Sequence, residues 1–147
     1  MVWGCFSGYG VGPLHLINGH MDRFQYKNIL EEYMVPYSEE VMPLRYYFQQ
    51  DNDSKHTSKY LKQWFQRGNI KVLPWPSQSS DLNPIENLWE ILDKKIRGVN
   101  YRNNNELFNA LRGAWANLDP AIIERLIKSM PKKCEGVIRN NGYFVKY

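Results

Sequence analysis

Two acidic residues in this sequence, Asp51 and Glu86, have the chemical type and the spacing of metal ligands. Asp51 lies in FQQDNDSKHTS (48–58), where an apolar strand runs into an acidic turn. Glu86 lies in SSDLNPIENLW (79–89), at the start of a helix, and 34 residues separate the two acids. Carboxylates that lie within about 4–6 Å of each other require a cation if both are to stay ionised. Mg²⁺ prefers such oxygen ligands, and a pair of these ions supports phosphoryl transfer by activating a water or hydroxyl.

Structural explanations of the same acids remain open at this level. Asn83, Pro84 and Glu86 fit the N-cap, first and third positions of a helix, so Glu86 is also explained as the acid of a capping box. A cap interaction of this kind contributes about 0.5–2 kcal/mol. The run Asp51–Asp53 is also explained as an Asx-turn that ends a strand. The last residue of that run and Asp81 are rival acids, and both are more typical of turns.

Two further polar residues near Asp51 are candidates for an accessory role. His56 follows Asp51 by five residues, and Asn52 follows it directly. A histidine at this position is a candidate for contacting a phosphate or for tuning the site as an acid or base. A purely structural role at the start of the next helix explains His56 equally well.

Three lysines, Lys55, Lys59 and Lys62, recur around the start of the second predicted helix. Lysines with this spacing are typical of a solvated helix face. Beside an acidic metal site they would also meet DNA phosphates, so we name them as DNA-binding candidates.

The elements that must position these residues alternate between strands and helices. Short strands are predicted at 1–7, 14–17, 45–50 and 70–75, and amphipathic helices at 22–34, 57–67, 84–97, 105–118 and from 120 onward. Pro36 is expected to end the first helix, and Pro131 to break or kink the last one. The predicted fold class is α/β, with a mixed sheet flanked by helices in one domain.

Composition excludes several classes of protein. The length of 147 residues fits one domain, and no apolar run approaches the roughly 18 residues of a membrane span. The two cysteines predict neither a disulfide framework nor a zinc cluster. The GYGVG stretch (8–12) has no helix after it, so no dinucleotide or other small-molecule cofactor is expected. A net charge of +4 permits nucleic-acid binding but does not demand it.

Four segments closely resemble the Tc/mariner family of DNA transposases, and together they cover nearly the whole chain. They are MVWGCFSGYGVGPL, INGHMDRFQYKNIL, FQQDNDSKHTS and VLPWPSQSSDLNPIENLW. The resemblance implies an RNase H-like catalytic domain in which three acids bind two divalent ions, Mg²⁺ or Mn²⁺. It implies cleavage at transposon ends and transfer of the 3′-hydroxyl to target DNA. Asp51 matches the second acid of the family and Glu86 the third.

The first aspartate of the family is expected on a strand upstream of the segment that matches MVWGCFS. Asp22 matches a non-catalytic position. We therefore expect residues 1–147 to form one partial catalytic domain that lacks the first strand of the fold. Without the bridging aspartate, the metal would bind weakly, and the chain is expected to be inactive or severely impaired.

The expected partners follow from the resemblance. They are DNA, as transposon ends and target, and a second copy in a homodimer, with no membrane, and the expected location is the nucleus. A hypothesis from another class is a non-enzymatic nucleic-acid-binding or interaction protein derived from a transposase. An unrelated RNase H-like nuclease is disfavoured by SSDLNPIENLW.

Overall fold

The computed structural model describes residues 1–76 and 79–141. Backbone contacts divide the chain into two compact units, Met1–Ser79 and Ser80–Tyr147, and each is described by itself. The prediction of a single domain stays a prediction. In the described part of the chain, no helix combines the length and apolar character needed to cross a bilayer.

The first unit begins with an antiparallel hairpin of β1 (Val2–Ser7) and β2 (Gly10–Leu16). An irregularity between Gly4 and Phe6 shifts the register. The Tyr37 hydroxyl donates to the Gly10 carbonyl at 2.8 Å, which anchors the turn. The predicted hairpin is confirmed.

The predicted first helix is longer and less regular than expected. It consists of α1 (Arg23–Ile29), a π-helical stretch (Leu30–Met34) and α2 (Val35–Val41). The Asp22 carboxylate caps α1 by accepting the N–H groups of Phe24 and Gln25. The prediction that Pro36 ends the helix is wrong. Pro36 lies in the first turn of α2, where a missing N–H is tolerated. The π-helical stretch before it has a wider turn, and a new α-helical segment begins after it.

The remaining elements of the first unit form a second small sheet and a helix. β3 (Tyr47–Phe48) pairs in parallel with β4 (Lys71–Val72), and α3 (Lys59–Arg67) connects them. Ser58 caps α3 by accepting the N–H of Leu61. The α1, π-helical and α3 segments share one core with the residues just after β2. Its buried members are Ile17, Met21, Tyr26, Ile29, Leu30, Met34, Leu61 and Phe65.

The second unit is helical in its described residues. It contains a 3₁₀ turn (Ser80–Leu82), α4 (Pro84–Ile96), α5 (Asn104–Ala116) and α6 (Pro120–Arg139). These bounds agree closely with the periodicity of the sequence. Trp89 and Trp115 stack with ring centroids 5.3 Å apart, which joins α4 to α5. In its described residues, the buried apolar side chains include Leu82, Pro84, Leu88, Leu92, Trp115, Leu118 and Ile123.

Pro131 does not break α6, which continues to Arg139. A proline inside a helix removes one hydrogen bond to the carbonyl four residues earlier, here that of Ile127. Ile127 is exposed, so this turn of the helix faces water. The predicted break is therefore wrong, because one missing hydrogen bond on an exposed turn does not end a helix of 20 residues, and the predicted kink stays a prediction.

Gly12 in β2 and Gly113 in α5 test how closely the protein is packed around each glycine. A Cβ added at Gly12 would lie 2.6 Å from Cys5 Sγ and 3.1 Å from the Tyr37 ring, whereas one added at Gly113 in α5 meets nothing within 4 Å. We expect Gly12→Ala to lower the free energy of unfolding by about 1–3 kcal/mol. Gly113→Ala should raise it by roughly 0.5–1 kcal/mol, because Ala is the better helix former. Urea unfolding followed by circular dichroism measures both.

Adding Cys5→Ala to the Gly12→Ala variant should recover part of the loss, since the contact with Sγ is removed. The contact with the Cys5 carbonyl oxygen, at 3.2 Å, remains. A Gly12→Ala variant as stable as the wild type would contradict the close packing described here.

Candidate active site

Asp51 lies three residues beyond the end of β3, in the segment that follows the parallel pairing with β4. The pairing is extended by one hydrogen bond, from the Leu73 N–H to the Phe48 carbonyl at 2.8 Å. The predicted strand at 45–50 is therefore shorter than expected. Its carboxyl end still directs the chain toward Asp51, as predicted.

The turn after Asp51 is closed by hydrogen bonds within the chain. The Asp53 N–H donates to Asp51 Oδ1 at 3.2 Å, which is the Asx-turn considered from the sequence. The Asp53 carbonyl then accepts the N–H groups of His56 and Thr57. Asp53 Oδ1 accepts the Lys55 N–H at 2.9 Å. Asp53 is thus a turn residue, as its sequence context indicated.

His56 contacts Asp51 directly. Its Nδ1 lies 2.5 Å from Asp51 Oδ1. A carboxylate accepts only, so Nδ1 carries the hydrogen. This hydrogen bond lowers the pKa of Asp51 below its ordinary value, and the Asp53 N–H adds to the effect, while partial burial opposes it. About half of the Asp51 side chain, 56%, is exposed, against 13% of His56. The arrangement is an ionised carboxylate that faces solvent and is held by a half-buried ring.

The orientation of His56 is set by the core of the first unit. The His56 ring stacks on the Tyr26 ring with centroids 3.9 Å apart. The Tyr26 hydroxyl donates to Gln50 Oε1 at 2.9 Å, and Gln50 Nε2 donates to the His56 carbonyl at 3.2 Å. Burial raises the pKa of Tyr26, as does the negative charge of Asp51, so its hydroxyl keeps its proton. Tyr26 and Gln50 were not predicted to be site residues, because for a site role the sequence marks them only as members of segments that resemble the family.

Asn52 joins the two chain segments that leave the parallel strands. Its Nδ2 donates to the Trp75 carbonyl at 2.6 Å. Asp51, Asn52 and His56 line one side of an open cavity of about 370 Å³, whose other walls come from α3 and the β4 segment. The structure therefore brings Asn52, His56 and Lys62 to the same cavity as Asp51, and Asn52 acts here as a backbone tie.

The three candidate lysines differ in their surroundings. Lys59 and Lys62 are exposed on α3, and Lys62 also lines the cavity. Lys55 is half-buried and forms an ion pair with Asp53, with Nζ 2.8 Å from Oδ2. Lys55 therefore already has an anionic partner.

Glu86 belongs to the second unit and is the third residue of α4. Its side chain is exposed, and its N–H donates to the Asn83 carbonyl at 3.1 Å. The Asn83 side chain makes no capping hydrogen bond, and the Asn83 N–H donates to the Ser80 carbonyl at 3.0 Å. Asn83 therefore does not play its part in the capping box that was considered for Glu86. Asp81 lies in the 3₁₀ turn before α4, as its context indicated.

The model of the DDE superfamily endonuclease family matches residues 11–108. The chain belongs to this family. Two transposable element transposases of Caenorhabditis elegans are similar over the whole chain. Tc1 transposase is 49% identical, with 54% of its own length covered, and Tc3 transposase is 32% identical, with 45% covered. The chain thus spans about half the length of the curated relatives it matches.

Solved structures of Mos1 transposase are similar in fold. Its catalytic domain, solved with raltegravir and Mg, has a TM-score of 0.88 at 19% identity, covering 99% of this chain and 76% of that one. The paired-end complex with the left transposon end has a TM-score of 0.90 at 19% identity, covering 99% and 44%. The predicted α/β, RNase H-like fold class and the resemblance to Tc/mariner transposases are confirmed.

The hydrogen bond from His56 to Asp51 yields a prediction of pH dependence. His56→Phe keeps an aromatic ring to stack on Tyr26 but removes the donor, so the pKa of Asp51 should rise toward its unperturbed value of about 3.9. A carboxyl whose pKa is lower in the folded state stabilises the fold above its unfolded pKa, and this contribution disappears as the pH falls through the folded value. The wild type should therefore lose more stability than His56→Phe below about pH 4. Carboxyl ¹³C NMR titration and acid unfolding measure the two effects.

His20→Phe is the matched control, because His20 is an exposed histidine of the same unit. His56→Asn should retain part of the effect, since an asparagine amide can donate from nearly the place of Nδ1. An Asp51 pKa that does not change in His56→Phe would show that the short contact does not govern the carboxyl.

Proposed function

We propose that this chain is catalytic-domain sequence of a DNA transposase in which Asp51 and Glu86 bind divalent metal ions. The single observation that supports this most strongly is the Asp51 carboxylate. It is half exposed, has a lowered pKa and is oriented by His56 and the Asp53 N–H. In a chain of the DDE superfamily endonuclease family, a carboxylate with these properties supports the proposal that Asp51 is a catalytic acid.

The oxygen donors of the proposed site fit Mg²⁺ or Mn²⁺. Both known hydrogen bonds of Asp51 go to Oδ1, and no donor among the described residues reaches Oδ2. A carboxylate has roughly four lone-pair positions, so a cation can be bound without displacing His56. Mg²⁺ binds through one or two carboxylates and keeps several waters. Among residues 1–76 and 79–141, no group of three or more His, Cys, Asp or Glu side chains is placed to hold an ion.

The residues of the chain and the ion have separate tasks in this proposal. Asp51 and Glu86 would hold the metal, which would supply activation of a water or a 3′-hydroxyl and stabilisation of the leaving oxygen of a phosphodiester. His56 keeps Asp51 ionised and fixes its direction. Asn52 ties the Asp51 segment to the chain after β4. Lys62, at the cavity rim, offers a positive charge to a DNA phosphate.

DNA is the proposed substrate, as transposon ends and then as target. The relatives are transposable element transposases, and Mos1 transposase has been solved with a transposon end and in complexes with Mn and with Mg. Homodimer formation and a nuclear location follow from the same proposal and stay predictions.

A second candidate function is non-enzymatic binding of nucleic acid. The exposed lysines Lys59 and Lys62 on α3 favour it, because binding to phosphates needs positive charge but no metal. This candidate predicts DNA binding that is indifferent to Asp51→Asn and Glu86→Gln. Metal-dependent binding or cleavage that either substitution abolishes would exclude it.

Removal of either proposed ligand tests the metal site. Asp51→Asn and Glu86→Gln should each weaken Mn²⁺ binding by at least about tenfold, because loss of a direct ligand costs no less than loss of a supporting contact. Paramagnetic broadening of assigned NMR signals during a Mn²⁺ titration measures the apparent affinity at each acid separately.

Asp53→Asn is the matched control, since Asp53 adjoins the site but accepts only within its turn and from Lys55. Equal Mn²⁺ responses in all three variants would contradict the assignment. In the same preparations, cleavage of transposon-end DNA with Mg²⁺ or Mn²⁺ tests the proposed activity. Cleavage that Asp51→Ala abolishes would support the catalytic role of Asp51, and cleavage that persists in this variant would contradict it.

Substitution of the α3 lysines tests the DNA surface. Each lysine that neutralises one phosphate contributes about one unit to the slope of log K against log salt. We expect Lys59→Gln and Lys62→Gln each to reduce this slope by about one unit, and Lys55→Gln to reduce it less, because Lys55 is paired with Asp53. Fluorescence anisotropy with labelled DNA at several salt concentrations measures the slope.

Lys128→Gln is the charge-matched control, since Lys128 is paired with Glu124 on α6 at 2.5 Å. If the α3 and α6 variants reduce the slope by the same amount, net charge and not the α3 face governs binding.

A further inference from the structure

We infer that Lys133 on α6 is a positioning residue that fixes the direction of Glu86. This inference rests on the proposed role of Glu86 as a metal-binding acid. Lys133 is only 7% exposed, which is exceptional for lysine. A buried ammonium is costly unless oxygen acceptors surround it, so the groups that it contacts indicate its task.

The acceptors of Lys133 lie on both sides of Glu86 in the sequence. Its Nζ donates to Asn87 Oδ1 at 2.8 Å, and Asn87 is the residue directly after Glu86. It also lies 3.5 Å from the carbonyl oxygen of Asp81, in the 3₁₀ turn that leads into α4. One ammonium therefore ties α6 to the turn before Glu86 and to the helical residue after it.

The start of α4 needs such a tie. Asn83 occupies the N-cap position, but its side chain makes no capping hydrogen bond. A first turn without a side-chain cap is held less firmly at its start, although the Glu86 N–H here donates to the Asn83 carbonyl. Lys133 supplies an attachment from another helix, and this restricts rotation of the turn that carries the Glu86 carboxylate.

Packing alone does not explain a lysine at this position. On either side of it, Lys132 and Cys134 are exposed, whereas Leu126 and Met130 precede it at helical spacing on the packed face of α6. The helical pattern calls for an apolar residue at 133. Replacing a buried ion by an apolar residue of similar volume is often neutral or stabilising. The ammonium is therefore best explained by what it holds in place.

Lys133→Met separates the two roles, because methionine preserves volume and removes the hydrogen bonds. We expect hydrogen exchange of the amides in 82–87 to accelerate by about tenfold or more, since a hydrogen bond to a charged group is lost. Exchange in the middle of α5 and α6 should not change. The Mn²⁺ response at Glu86 should weaken by about tenfold, as expected for loss of a supporting contact, while that at Asp51 changes less.

Lys132→Met is the matched control, since it makes the same substitution at the exposed neighbouring position. Asn87→Ala removes the same contact from the other side and replaces Lys133→Met if that variant does not fold. The double variant should exchange no faster than the faster single variant, because Asn87→Ala removes a contact that Lys133→Met has already removed.

The inference is overturned if exchange at 82–87 equals that of the wild type. It is also overturned if exchange accelerates uniformly over α4, α5 and α6, since this is the result of a purely structural role. A wild type without any Mn²⁺ response at Glu86 would instead overturn the proposed metal function. The exchange data alone decide in that case whether Lys133 positions the turn.

Discussion

The hydrogen bond between His56 and Asp51 is the contact on which the site of the first unit depends. A carboxylate on a loop rotates freely unless both its backbone and its oxygens are held. Here Oδ1 accepts from His56 Nδ1 and from the Asp53 N–H, so the loop and the ring fix one direction together. His56 is held in turn by the stack on Tyr26, which is 2% exposed in the core. The packing of the core therefore restricts the Asp51 carboxylate through the stacked rings of Tyr26 and His56.

The second unit holds its acid by a different physical device. The backbone of Glu86 is fixed by helical geometry at the third position of α4, so the orientation of that first turn decides from where its side chain extends. The buried Lys133 ammonium of α6 contacts the Asp81 carbonyl in the turn before α4 and the Asn87 side chain within α4. The first unit thus relies on ring stacking and a short hydrogen bond, and the second on a cation at helix ends. In both units, residues other than the acid itself restrict the position of the acid.

Sequence patterns predicted what depends on local chemistry. The bounds of α3, α4 and α5 and the start of α6 followed closely from apolar periodicity, and Asp51 was correctly placed after a strand. The patterns failed where contacts between residues distant in the sequence determine the local structure. Pro36 lies in the first turn of α2, directly after a π-helical stretch, and Lys133 is buried although lysine is normally exposed. Tyr26 is 30 residues before His56, and no local rule links a core tyrosine to that ring.

The Asx-turn and the metal ligand, which the sequence presented as alternatives for Asp51, are compatible in the structure. The turn uses one oxygen of the carboxylate, and His56 uses the same oxygen. Since a carboxylate accepts at several lone pairs, a cation would contact the other oxygen without breaking the turn. The turn also removes rotational freedom before any ion arrives, which reduces the entropy that binding would otherwise cost. The structural role of Asp51 therefore supports a chemical role, and finding the turn is no evidence against the ligand.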